Sequence, residues 1–112
     1  MRMKKLQLTI YLNEADRGGR SDADNRDDNV PLHEIIVRRL LHLEIAGATV
    51  LRGVMGYGRH GRVHRNRLFG VPDDRPILIV AIDEAARIRA VLPELRSLIT
   101  GSLITLHEVE IA

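Results

Sequence analysis

The residues best suited to chemistry are Gly56-Tyr57-Gly58-Arg59. Glycines carry no Cβ, so their N–H groups can come close to an anion, and Arg59 adds positive charge beside them. A lone Gly-x-Gly is also an ordinary way to end a strand, so the motif alone names no ligand. Arg62, His64, Arg65 and Arg67 follow. Guanidinium groups make bidentate contacts to phosphates and carboxylates, which suits an anionic ligand or an acidic partner surface. A solvated basic loop accounts for the same stretch. From Arg59 to Arg67 there are four arginines, two histidines and no acids, a local charge of +4. From Glu14 to Asp28 six acids meet three arginines, a local charge of −3. Opposite charges on two loops suit contact with each other, contact between subunits, or separate ligands.

Other chemistries find less support. His60 and His64 are four apart, but Gly61 lies between them in a loop and no third ligand is nearby, so no metal site is expected. Asp22-x-Asp24 begins like a calcium loop, yet Arg26 takes a ligand position and His33 stands where the closing glutamate belongs. For a small enzyme, His33, His42, His64 and His107 are the acid–base groups available. No triad, carboxylate pair or serine or cysteine nucleophile accompanies them, and a non-enzymatic role is expected. RNA recognition on a sheet needs aromatics on central strands; the first strand offers Tyr11 and the Ile77–Ile82 strand none, so nucleic acid is not expected as a partner. Arg52 sits in an apolar strand, where its charge requires a partner; an outward-facing or intersubunit salt bridge is preferred over a bound anion.

The elements that must position these residues fit one domain spanning residues 1–112. The chain is 12.6 kDa, 45% hydrophobic and 29% charged, with a net charge of +2, too small to argue for nucleic acid. Aromatics are three (Tyr11, Tyr57 and Phe69), so the core must be aliphatic. Without cysteine there is no disulfide scaffold and no thiolate metal site. The longest strong apolar run, Ile77 to Ile82, is six residues, against about 20 for a membrane span. Met1-Arg-Met-Lys-Lys5 has the charge of a signal peptide, but Leu6 to Leu12 alternates instead of forming an apolar run. A cytoplasmic location is expected.

Leu6, Leu8, Ile10 and Leu12 alternate with polar neighbours, the period of a half-buried strand. Residues 14–29 read as an acidic, polar loop. Asn29 is a candidate helix cap, and Leu32, Ile35, Ile36, Leu40 and Leu43 have helical spacing, with Gly47 expected to close the helix. A second strand runs over about Ala48–Tyr57, with Gly53 marking a bulge or a close backbone approach. Residues 58–75 form a long basic loop. Ile77–Ile82 reads as a strand buried on both faces. Asp83 is placed to cap a helix carrying Ile88, Leu92, Leu95 and Ile99, which Pro93 should kink or split. Gly101 ends that helix, and Leu103 to Ile111 alternate as the last strand. The order β-α-β-β-α-β predicts an α+β fold of the split βαβ, ferredoxin-like type: a four-stranded antiparallel sheet with two helices on one face. Its other face, apolar along the third strand, predicts self-association through packed sheets.

The run Gly47-Ala-Thr-Val-Leu-Arg-Gly53-Val-Met-Gly56-Tyr-Gly58, with the upstream Pro31-Leu-His-Glu-Ile-Ile36 helix and the downstream Arg75-Pro-Ile-Leu-Ile-Val80 strand, closely resembles domain-of-unknown-function family 190. That family is related to the PII nitrogen-regulatory proteins, and the resemblance covers nearly the whole chain. It implies a ferredoxin-like subunit in a homotrimer, acting in signal transduction. An adenine nucleotide or another small effector would sit in clefts between subunits, near Thr49 and Gly56, Tyr57, Gly58 and Arg59. Loop 58–75 would serve as the effector loop that reaches a protein target such as a membrane transporter. Thr100-Gly101 would begin the phosphate-binding loop. The chain departs from PII in continuing with Ser102-Leu-Ile-Thr105 where those proteins carry Gly-Asp-Gly-Lys. It also ends soon after its last strand, without their C-terminal arginines. The resemblance therefore leaves a smaller adenylate, another anion, or no nucleotide open.

Overall fold

A computed structural model gives the structure of this protein and describes residues 3–18, 30–58, 64–65 and 74–112. In chain order the elements are β1 (Lys5–Asn13), α1 (Leu32–His42), β2 (Ala48–Arg52), β3 (Met55–Gly56), β4 (His64–Arg65), β5 (Pro76–Glu84), α2 (Ala85–Leu98) and β6 (Ile104–Val109). The main sheet has the antiparallel order β2-β5-β1-β6, and β3 pairs with β4 as a separate two-stranded ribbon. This is the expected α+β, ferredoxin-like fold, with the ribbon added.

Alternation decides which residues meet the helices. Leu6, Leu8, Ile10 and Leu12 of β1 are buried, as are Ile77, Ile79 and Ala81 of β5. Against them α1 sets Leu32, Ile36 and Leu40, four residues apart, and α2 sets Ile88, Val91 and Leu95. Each fully buried aliphatic side chain of this kind contributes about 1.5–3 kcal/mol. Leu78, Val80 and Ile82, which point the other way, are only half-buried. The expectation of a strand buried on both faces is thus corrected for the single chain: β5 is central, but the helices cover one side of it.

Several local expectations are replaced by other devices. Helix α1 closes at Glu44, not Gly47: Glu44 adopts φ +64°, its N–H donates to Leu41 O, and Ile45 N–H donates to Leu40 O. That pattern is a Schellman motif, and burial of Ile45 anchors it where glycine is absent. The start of α1 has Pro31 at the cap position without a side-chain cap, and Leu32 N–H instead donates to Asp16 O at 2.8 Å. Asn29 lies outside the described residues. Asp83 does not cap α2 but ends a β-strand face: its carboxylate accepts from Ala46 N–H at 3.0 Å and from Glu84 N–H, tying the α1–β2 connection to β5. Ala85 N–H, at the start of α2, donates to Lys4 O. Pro93 does not split α2, which runs as one helix from Ala85 to Leu98. Pro93 lies on the exposed side, where carbonyls can tilt toward water.

Candidate functional site

The expected second strand breaks after Arg52. Gly53 N–H donates to Pro76 O at 2.8 Å, and a Cβ on Gly53 would stand 2.6 Å from Pro76 Cγ. Only glycine lets the chain pass this close to the proline ring. Beyond it, Met55 and Gly56 pair with Arg65 and His64, so the segment read as the loop 58–75 contains the second strand of a ribbon. Gly56 is also close to Pro76, 3.3 Å from its Cγ for an added Cβ. The ribbon therefore leaves the sheet over Pro76.

Ties among three chain segments hold this end of the sheet. Arg52 Nη2 meets Glu14 Oε2 at 2.6 Å, Glu14 N–H donates to Arg75 O at 2.7 Å, and Ala15 N–H donates to Asp74 Oδ1 at 2.6 Å. Arg52 is half-exposed and paired within its own chain, in line with the salt-bridge reading.

Between the ribbon and the α2–β6 turn lies an open groove of about 1420 Å³. One wall is Met55, Gly56, Tyr57 and Gly58; the other is Arg96, Ser97, Thr100, Gly101 and Ser102. Its floor is apolar, with Leu12, Ile77 and Leu98 among its residues. Gly101 has φ +79°, the left-handed region that glycine enters without strain, and open space lies where its Cβ would be. Tyr57 is 74% exposed, a phenol ring available at the rim. The volume exceeds the roughly 300–1,000 Å³ of closed small-molecule sites because the groove is open among the described residues.

The groove brings together Gly56, Tyr57 and Gly58 from the ligand-binding expectation, and adds the Thr100-Gly101 turn. It does not include Thr49, which is exposed on β2 opposite Val80, on the face away from the helices. Arg59, Arg62 and Arg67 lie outside the described residues, and His64 and Arg65 are placed by their backbones in β4 alone. Met55 and Arg96 were not foreseen as groove residues. The signal for Arg96 was its position in the last turn of α2, four residues before Thr100. Among the described residues no cluster of three metal-ligating side chains occurs, and no helix is long and apolar enough to cross a membrane.

Known proteins share this architecture. The structure of CPII, a nitrogen regulatory PII-like protein from Thiomonas intermedia K12 bound to ADP, AMP and bicarbonate, matches with a TM-score of 0.65 at 15% identity, covering 100% of both chains. CutA1 from Ehrlichia chaffeensis, a divalent ion tolerance protein, matches at 0.63 with 10% identity, covering 100% of this chain and 87% of that one. At such identities the likeness is one of fold. In sequence, the chain is 29% identical over 109 residues to the UPF0166 protein of Aquifex aeolicus (strain VF5), covering 97% of this chain and 94% of that protein. It is 32% identical over 95 residues to a UPF0166 protein of Methanocaldococcus jannaschii, covering 85% and 79%. The DUF190 family model, described as "Uncharacterized ACR", matches residues 5–111, and the chain belongs to that family.

Proposed function

We propose that this protein is a PII-like regulatory subunit, not an enzyme. It binds a small anionic effector, an adenine nucleotide by preference, in the groove between the β3–β4 ribbon and the α2–β6 turn. The observation that carries this reading is the convergence on one apolar-floored groove of Gly56–Gly58, Arg96 and the Thr100–Ser102 turn. The fold shared with CPII, whose structure holds ADP, AMP and bicarbonate, supports the same class of ligand. A groove that stays open among the described residues suits a cleft completed by a second copy of the chain, and a cytoplasmic homotrimer is the assembly proposed. The exposed and half-buried apolar side chains Leu51, Leu78, Val80 and Ile82 on the open sheet face give the copies a surface to bury. The basic segment with Arg59, Arg62, His64, Arg65 and Arg67 then meets a protein target, such as a membrane transporter. Ordering of a segment by an effector is an established kind of switch.

Titration calorimetry of the assembled protein with AMP, ADP, ATP, cyclic AMP and bicarbonate tests the reading. Saturable binding of at least one, weakened by bulk at the groove through Gly58→Val, is the expected result. No binding by any of the five would refute it.

A further inference from the structure

Resting on the proposed groove, we infer that Tyr11 and Tyr57 make it a site for a flat aromatic ring. The heteroaromatic ring of the effector lies against Tyr11, and Tyr57 supplies a second ring face from the rim. A bare anion or a sugar phosphate lacks what these two residues select.

The placement of the aromatic residues motivates this. The chain has two tyrosines, one phenylalanine and no tryptophan among 112 residues, and both tyrosines line the same groove. The core uses neither: its buried residues are all aliphatic, while Tyr11 is 41% exposed and Tyr57 74% exposed. Ring faces left in water stabilise the fold little and remain available for stacking.

Tyr11 belongs to a strip suited to such a ring. It lies opposite Leu78 across β1 and β5, and on its other side its N–H donates to Leu103 O at 3.0 Å. Alternation turns all three side chains to the face away from the helices, since Ile10 and Leu12 beside Tyr11 are buried. Neighbouring strands lie about 4.8 Å apart, so three side chains pave roughly 10 Å of flat surface. All three line the groove, at the lip where it meets the open face. The next row, Thr9 with Val80 and Thr105, is β-branched and ends the strip.

Tyr57 comes from the ribbon instead. It stands between Gly56, held close to Pro76, and Gly58, beside which the space is open. No side chain on either neighbour shields its ring. Stacking on an aromatic side chain uses the π-face that every nucleobase has. A compact anion such as bicarbonate cannot cover the strip and leaves it in water.

Because the chain lacks tryptophan, its tyrosine emission comes from Tyr11 and Tyr57 alone, and both report on the groove. Calorimetry and tyrosine fluorescence of the assembled protein are measured with AMP, ADP, ATP, cyclic AMP and bicarbonate. Ribose 5-phosphate and tripolyphosphate serve as base-free counterparts of AMP and ATP. Each nucleotide of these two pairs is expected to bind about tenfold or more tightly than its counterpart, and to change an emission that the counterpart leaves alone. Tyr11→Leu and Tyr57→Leu should each weaken AMP by about fivefold to 150-fold, the range of one stacking contact, while Tyr11→Phe and Tyr57→Phe stay within about threefold. Thermal unfolding and sedimented mass of the Phe variants should match the wild type. If Tyr11→Leu disturbs the open face, the two Tyr57 variants and Tyr11→Phe still decide. Ribose 5-phosphate binding as tightly as AMP overturns the inference, as does an intact Leu variant that binds AMP like the wild type. So does AMP saturating without a change in emission, or binding of bicarbonate alone. Each of these leaves an anionic effector in the groove standing. If none of the seven compounds binds, both readings fall.

Discussion

The two faces of the sheet are made from alternate residues of the same strands, yet they are finished differently. Toward the helices Leu8, Ile10 and Ile79 are fully buried, and Ile77 is 1% exposed. On the other face Leu78, Val80 and Ile82 are half-buried, Leu51 is 50% exposed, and the β1–β6 half is more polar, with Gln7, Thr105 and His107 beside Tyr11 and Val109. Thr9 is the exception there, buried between its strand neighbours with its hydroxyl accepting from Gln7 Nε2 at 3.2 Å. The difference shows that an apolar strand reports what can be covered, while the chain's own helices decide what is covered. The helix face carries the fold; the open face, with Leu51, Leu78, Val80 and Ile82 gathered on its β2–β5 half, is left for something else.

Substituting adjacent residues of β5 is the strongest way to break this contrast. Ile79→Ala, facing the helices, is expected to cost about 2–5 kcal/mol through lost transfer energy and a cavity. Its neighbour Val80→Ala should cost about 1 kcal/mol in the dissociated chain, since its side chain is only partly removed from water. Urea unfolding at low protein concentration measures both. Equal losses would mean that the two faces are not distinct.

Gly53→Ala follows in size. Its Cβ would lie 2.6 Å from Pro76 Cγ, and a ring fixed to the backbone cannot swing aside as a flexible chain would. Overpacking of this kind costs about 1–3 kcal/mol. The strain falls at the root of the ribbon, beyond the covered face, so ligand affinity should drop along with stability. A loss of stability alone would separate the ribbon's root from the groove.

How far these features could be read beforehand depends on how local their causes are. Alternation in β1 and helical spacing at Leu32, Ile36 and Leu40 are local patterns, and the fold class followed from them. Glu44 was not legible as a helix terminator because its left-handed φ is held by burial of Ile45, a tertiary event. Asp83 was misread as a cap because its partner, Ala46 N–H, comes from a segment 37 residues away. At the groove, Gly56–Gly58 announced themselves by composition. Arg96 did not, since an exposed helical arginine looks alike whether or not a groove lies beside it. Thr49 was named through the family resemblance, which places it in a cleft between subunits; within one chain it lies on the open face, outside the groove.

The open face itself is sharpened by Leu51→Ser combined with Leu78→Ser. If copies of the chain bury this surface, the double variant should sediment with a smaller mass while keeping its secondary structure. Its unfolding midpoint should also lose the dependence on protein concentration that an assembly confers. Unchanged mass would place the contacts between copies elsewhere.

The smallest effect belongs to the rim, where the Glu14–Arg52 pair joins the end of β1 to the end of β2. Its side chains are 30% and 52% exposed, so water and salt screen the attraction, and ordering two long side chains offsets part of it. A double-mutant cycle with Glu14→Gln and Arg52→Gln should return a coupling of about 0.2–1 kcal/mol, shrinking as salt is raised. The geometry still matters, because Glu14 also donates its backbone N–H to Arg75 O, and that bond survives either substitution. The pair is thus set in place by the backbone and adds little to holding it there. A coupling well above this range would mean that the ion pair, rather than the backbone ties beside it, fixes this end of the sheet.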